Sequence, residues 1–516
     1  MQTEKEYLTG REISALRCES VGEYSLPDYN GDVKKILAVK TKVFPGGKFV
    51  GEDALEFSGT VGYEVVYLDG ENNITHAEFS TDYEAAVKIN SETYVDCDVV
   101  SSVSSSSVRL IGPRKLSVKC SLDNEVRIAE KRVYDVEGDA FMEYEPEVLT
   151  SSVNVMTPAF ASGQSREIEE EILHLDGAIT DEVEVLLSDA RFELDALDVS
   201  ADSVTVKGSV LVSLLLKNAD EMPRLVAVSL PLSEEVSFAE IESFDSLDAR
   251  CEITALKTAV SPAEDGVSLT ASVTVTPRVY GKKNTPLELI CDAFVKERGV
   301  ENEYSDFSYT EHVSTETKTE NFEFKCTMAE VGVESAGDVI YAEAQARLEQ
   351  CTLEDNGVKI DGEIRFGGIV CRVDENEETI FHPIRFSLPY SQKVNMSCQL
   401  HDNMRVYCAL NSENVKINFD ENNICAFVTL TSFVTVTSDK RQRCLGTSYL
   451  TDEEFLDDDS VVTVYYPDAS ESLFSIAKRF HTSVGEIAES NRLSENVFAS
   501  FGAPVGNFEV KKLIIK

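Results

Sequence analysis

Chemistry in a protein needs nucleophiles, acid–base groups or metal ligands at workable spacing. The chain has six histidines: His76, His174, His312, His382, His401 and His481. No two stand close in sequence, and H-E-x-x-H does not occur. Twelve cysteines (18, 97, 120, 251, 291, 326, 351, 371, 398, 408, 425 and 444) are also scattered. None forms the C-x-x-C pair that holds zinc or exchanges disulfides. Cys371 with His382 could make a nucleophile and base, but chance proximity is the simpler account with so many thiols. The 92 Asp and Glu are too many to single out a glycosidase pair. G-x-S-x-G and G-x-x-x-x-G-K-[ST] strings are absent. Acid-rich segments such as Asp69-Gly-Glu-Asn-Asn lack the calcium-loop spacing and read as turns. The expectation is a protein that is not an enzyme and takes no metal or cofactor.

The other 516-residue features bound the partners. The formal charge is −45, with 42% apolar and 27% charged residues. The apolar share suffices for buried cores. The charge argues against nucleic acid, whose phosphates need Lys and Arg on one face. It equally argues against anionic lipid. No window of about 18 apolar residues is present, so no direct membrane insertion is expected. The start, Met1-Gln-Thr-Glu-Lys-Glu, has no basic region followed by an apolar stretch. Free thiols in a cytoplasm are therefore expected.

The elements follow from an internal repeat with origins at Gly59, Gly208 and Gly362, spaced 149 and 154 residues apart. Apolar residues alternate around each: Leu55, Phe57, Val61, Tyr63, Val65 and Tyr67, then Val204, Val206, Val210, Val212, Leu214 and Leu216. The third set is Val358, Ile360, Ile364, Phe366 and Val370. Period-two alternation predicts half-buried strands, and the glycine predicts a bulge or bend. A polar turn follows each (from Asp69, Asn218 and Asp374), and apolar residues return at Tyr83, Leu232 and Phe386. A later alternating strand carries Leu116 to Leu122, Leu269 to Val275 and Ile424 to Leu430. The fold class expected is mainly β: three tandem β-sandwich or barrel-like repeats plus a small α+β unit. The divisions are 1–145, 146–295, 296–450, an acidic linker 451–460, and 461–516. Residues 135–150 and the Glu/Ser/Thr-rich 296–320 read as linkers. The run 451–460, with six acids in ten positions, is expected to hold the last unit away from the bulk.

That last unit has six basic and six acidic residues, so the net charge belongs to the first 460 positions. Its order reads β-α-α-β. A strand at 461–466 meets a Pro467-Asp468 turn. Ser470 or Ser472 caps a helix with Leu473, Ile476, Ala477 and Phe480 on one face. Ser483-Val-Gly-Glu486 is a capping box for a second helix. His481, at the end of the first, is placed to favour a cation. The string Ser472-Leu-Phe-Ser-Ile-Ala-Lys-Arg-Phe480, with Thr482-Ser-Val-Gly-Glu-Ile487 and Asn491, resembles a LysM domain. That resemblance implies a groove for N-acetylglucosamine glycans between the loops Pro467–Ser472 and Asn491–Val497. It implies binding residues Pro467, Asp468, Ser470, Glu471 and Ser472 on one side. Asn491, Arg492 and Leu493 stand on the other, with Phe474 and Arg479 on the helix rim. Ser470-Glu471-Ser472 replaces the usual Gly-Asp-Thr, and the segment 491–512 is longer than usual. Both departures fall on the sugar loops.

Upstream, Leu26-Pro-Asp-Tyr-Asn-Gly-Asp-Val-Lys-Lys-Ile-Leu37 is similar to the first SPOCS domain of clostridial SipL-type sporulation proteins. That resemblance implies a non-enzymatic scaffold in spore coat and cortex assembly. Its LysM end would bind a SpoIVA-like spore coat protein at the forespore surface, in the mother-cell cytoplasm. The alternative is a cell-envelope protein that binds peptidoglycan glycan. A wall hydrolase with an unrecognised catalytic repeat is the third and weakest reading.

Overall fold

The computed structural model describes residues 4–27, 30–219, 221–238, 243–333, 336–373, 378–455, 462–494, 497, 500–508 and 510–515. The alternation seen in the sequence becomes antiparallel strands with one face buried. Three consecutive stretches each build a sandwich of two sheets.

The first holds β1 (Lys5–Ser25), β2 (Lys35–Val50), β3 (Ala54–Leu68), β4 (Ile74–Lys88), β5 (Tyr94–Gly112) and β6 (Lys115–Tyr134). Its sheets are β1-β6-β5 and the meander β2-β3-β4. A short helix, α1 (Ala140–Glu143), precedes the second sandwich. That sandwich holds β7 (Glu147–Ser162), β8 (Arg166–Asp176), β9 (Val183–Val199), β10 (Ser203–Asn218), β11 (Arg224–Ser237), β12 (Ser246–Ala263) and β13 (Gly266–Phe294). Here the opening strand is broken into β7 and β8, and both pair with β13. The third holds β14 (Arg298–Thr327), β15 (Asp338–Glu354), β16 (Gly357–Val373), β17 (Thr379–Asn395), β18 (Met404–Asp420) and β19 (Asn423–Glu454). Its sheets, β14-β19-β18 and β15-β16-β17, repeat the first topology. The three cores set Val61 and Tyr63 against Cys120 and Leu122, Val210 and Val212 against Leu269 and Ala271, and Ile364 and Phe366 against Ala426 and Val428. Each such fully buried aliphatic side chain contributes about 1.5–3 kcal/mol.

Gly59, Gly208 and Gly362 occupy equivalent bulges. The strand beside each shifts register there. A Cβ would stand 2.5 Å from the Phe44 carbonyl oxygen, 2.2 Å from that of Glu193 and 2.1 Å from that of Arg347. Only glycine lets these backbones meet. Phe386 returns to the core as expected, opposite Phe366, while the residue opposite the third glycine is Tyr390, where Tyr83 and Leu232 face the first two. The third hairpin runs farther before turning; residues 374–377 of its turn lie outside the described residues. One expectation needs correction: the segment 296–320, read as a linker. It is most of β14, whose polar residues alternate with Phe307, Tyr309 and Val313, so the Glu/Ser/Thr content is a solvated strand face.

Residues seven positions after each glycine, Val66, Leu215 and Ile369, meet in one buried cluster with Ala38, Leu187 and Tyr341 opposite them. The three sandwiches thus share a junction built from equivalent positions. Beside it Lys40, Asp189 and Glu343, again equivalent by register, converge. Lys40 Nζ lies 2.8 Å from Asp189 and 4.0 Å from Glu343. Burial pulls the Lys40 pKa down, but these carboxylates outweigh it and hold the ammonium above its ordinary value.

The C-terminal unit comprises β20 (Thr463–Tyr465), α2 (Leu473–Phe480), α3 (Val484–Asn491), a 3₁₀ turn (Val505–Phe508) and β21 (Leu513–Ile515). Among the described residues no helix is long and apolar enough to cross a membrane.

Candidate functional site

The C-terminal unit is built by local capping. Ser472, not Ser470, caps α2: its Oγ accepts from the Ser475 amide at 3.1 Å, and its own amide donates to Ser475 Oγ at 3.0 Å. In α3 the Ser483 hydroxyl accepts from the Glu486 amide, while Glu486 accepts from the Ser483 amide at 2.8 Å and the Thr482 hydroxyl at 2.7 Å. These donors pull the Glu486 carboxyl down to about 2. Leu473, Ile476, Ala477, Val484 and Ile487 form the core between helices and sheet.

The residues expected to line a groove divide by role. Glu471 accepts the Tyr465 hydroxyl at 2.8 Å and the Asp468 amide at 3.0 Å, and pairs with Arg479 at 2.6 Å. Partial burial pushes its carboxyl up, but these partners hold it below the ordinary carboxylate value. Glu471 therefore braces the first loop. Pro467, half-buried, and exposed Asp468 and Ser470 form the loop's outer surface. Asn491 is structural: its amide donates to Ile487 O at 2.8 Å and Ile514 O at 2.7 Å, and its Oδ1 accepts from Ile514 N at 2.6 Å. It zips α3 to β21. Arg492 is the left-handed cap of α3 at φ 52°, and Leu493 packs on the core.

Phe474 was placed on an accessible rim; it is 2% exposed. Its ring meets Phe294 of β13 edge-on at 5.3 Å and lies near Phe501. Lys478 of the same helix binds Asp292 at 2.6 and 2.9 Å, and Lys296 pairs with Glu486 at 3.3 Å. The unit is thus docked on the second sandwich and the start of the third, not held away from them. The acidic run does not enforce separation because its repulsion is screened beyond about 8–10 Å, while apolar contact and two ion pairs hold the unit in place. Residues 451–454 complete β19, and 456–460 lie outside the described residues. The expected cation at His481 is also corrected: the ring stacks on Phe455, and burial lowers its pKa.

The inserted segment after α3 returns across the first loop. The Phe474 amide donates to Phe501 O at 3.1 Å, Val505 N to Glu471 O at 2.7 Å and Gly506 N to Ala469 O at 3.0 Å. Ser472 and Pro504 form a β-bridge. Val505 inserts its side chain into the core at 1% exposure. A Cβ at Gly506 would stand 2.7 Å from the Ala469 carbonyl oxygen. Residues 501–506 form a strap over loop 467–472, occupying the Ala469 and Glu471 carbonyls and the Phe474 amide at the start of α2.

One surface escaped the sequence reading. Val462, Val464 and Tyr466 point outward along β20, at 57%, 49% and 70% exposure. Val464 sits in a strand paired only with β21 among the described residues. The signal was present: 461–466 is apolar on both faces, although a two-stranded sheet buries only one. Arg479, 53% exposed at its side chain, stands over Tyr465 on the opposite face. Among the described residues, no three His, Cys, Asp or Glu are grouped to hold a metal ion.

Comparison with known proteins agrees with this local architecture. The LysM domain profile matches residues 469–499, which span the first loop, α2 and α3. No curated protein and no solved structure matches the chain. The chain carries a LysM domain at its C-terminus, a type of domain that points to peptidoglycan glycan as a ligand class.

Proposed function

We propose that this protein is a non-enzymatic scaffold of a bacterial spore envelope. Its LysM domain engages a SpoIVA-like coat morphogenetic protein at the forespore surface, within the mother-cell cytoplasm. The observation that carries this reading is the strap over loop 467–472. A sugar entering between the two loops would have to compete with Phe501, Val505 and Gly506 for the Phe474 amide and the Glu471 and Ala469 carbonyls. A protein partner does not need the groove and can use the outward face of β20. The tandem sandwiches, joined through equivalent positions, supply a broad acidic body for assembly. The resemblance of Leu26–Leu37 to a SPOCS domain adds the sporulation context.

A second reading, binding of peptidoglycan glycan, is favoured by the LysM match itself. The two separate by pull-down of the intact chain on muropeptides and on a purified SpoIVA-like coat protein. The scaffold reading expects retention by the coat protein, weakened by Tyr466→Ala with Val464→Ser. Retention on muropeptides alone would overturn it and leave the glycan reading.

A further inference from the structure

The third sandwich differs from the other two at one edge. Cys351 lies on β15, opposite Ile360, two residues before Gly362. The equivalent positions in the other sandwiches hold Lys48 and Leu197. Cys408 lies on β18, opposite Val434, in the facing sheet. β15 and β18 are the edges of their sheets, and they meet: Ser412 Oγ of β18 donates to Ala344 O of β15 at 2.8 Å. Both thiols are half-buried against the same core. Both lie at this meeting edge, near enough that each thiol shifts the other's ionisation. The Tyr390 hydroxyl lies beside them, and Cys408 Sγ also reaches the Ala409 carbonyl at 3.9 Å.

We propose that Cys351 and Cys408 form a reversible disulfide staple that joins the two sheets of the third sandwich when the chain meets a glutathione-type disulfide oxidant. Cys351 attacks first. The neighbouring Cys408 thiol holds it below the ordinary value, while the same contact and burial push Cys408 up. The Cys351 thiolate displaces one glutathione thiolate from oxidised glutathione and forms a mixed disulfide. Cys408 loses its proton to solvent and attacks the Cys351 sulfur. The second glutathione leaves as thiolate. Two protein thiols are oxidised to one disulfide, and one oxidised glutathione is reduced to two glutathiones.

The remaining close thiols give the contrast. Cys120 beside Cys18, Cys291 beside Cys444 and Cys326 beside Cys425 are each pushed up by burial, whereas Cys351 is held down. The staple closes a long loop between β15 and β18, the case in which a cross-link restricts the unfolded chain most.

The test uses the intact chain under native conditions with oxidised glutathione, followed by alkylation and non-reducing peptide mapping. The 351–408 link is expected as the leading cross-link, with a melting temperature raised by roughly 5 °C or more and restored by dithiothreitol. Cys408→Ser should instead accumulate Cys351 bearing glutathione, which identifies the first nucleophile without requiring the staple. A leading cross-link at any other pair, or no 351–408 link while other thiols oxidise, overturns the proposal. If Cys408→Ser fails to fold, the wild-type map alone decides.

Discussion

The strap over the first LysM loop can be tested by opening it. Val505→Asp is the direct perturbation. The Val505 side chain is buried at 1% exposure, and its removal from the core forfeits about 2 kcal/mol. The introduced carboxylate has no cation near Val505 among the contacts described, and burying it unpaired costs at least another ~2 kcal/mol. The sum, about 4 kcal/mol, moves the closed-to-open ratio of the strap by roughly a thousandfold. A ligand that needs the open groove binds wild type with its affinity divided by the open fraction. The variant should therefore bind a chitooligosaccharide more tightly than wild type, by up to the reciprocal of the wild-type open fraction. Gly506→Val is an independent route, because its side chain collides with the Ala469 backbone. Isothermal titration with the intact chain measures the affinities, and near-ultraviolet circular dichroism checks that the domain stays folded. Equal binding by wild type and both folded variants would refute the argument that the strap occludes the groove.

Phe474→Ala should destabilise the docked LysM domain by about 3–5 kcal/mol, since it empties space against Phe294 and Phe501. Limited proteolysis should then release the C-terminal unit first. Gly208→Ala should cost about 1–3 kcal/mol, because the new methyl meets the Glu193 carbonyl rather than a movable side chain. Urea denaturation measures it, and an unchanged midpoint would remove the bulge argument. Lys40→Met should cost about 1 kcal/mol, because Asp189 and Glu343 lose their shared cation but stay partly open to solvent. The Glu486 carboxyl is held at about 2, below its unfolded value, so its contribution is complete above about pH 4.5 and is lost as pH falls through about 2. Glu486→Gln should flatten that part of the stability profile of the C-terminal unit.

Much of the β architecture was legible because period-two alternation needs no tertiary information. Leu55 to Tyr67, Val204 to Leu216 and Val358 to Val370 were read as strands, and all lie in β3, β10 and β16. The helices α2 and α3 were legible from their caps. What failed were inferences that needed partners. β14 was hidden by composition, since its outward face is Glu, Ser and Thr and its apolar face is intermittent. Phe386 and Tyr390 could not be told apart without the register that pairs one with Phe366 and the other with Gly362. In the candidate site, Glu471, Asn491 and Phe474 are binding residues by resemblance, while their contacts in the structure brace, zip and dock.

The sequence by itself determined the alternating strands around the three glycines, the bulges there, the two capped helices and the sign and location of the charge. These depend on neighbours within a few residues, or on repeats of one pattern. Only the tertiary structure decided that Val66, Leu215 and Ile369 share one junction, that Lys40 meets Asp189 and Glu343, and that the LysM domain rests on Phe294 rather than standing clear. It also decided that residues 501–506 strap the first loop. Such contacts join positions far apart in the chain. Their energy comes from surfaces and charges that have no partner until the sandwiches assemble.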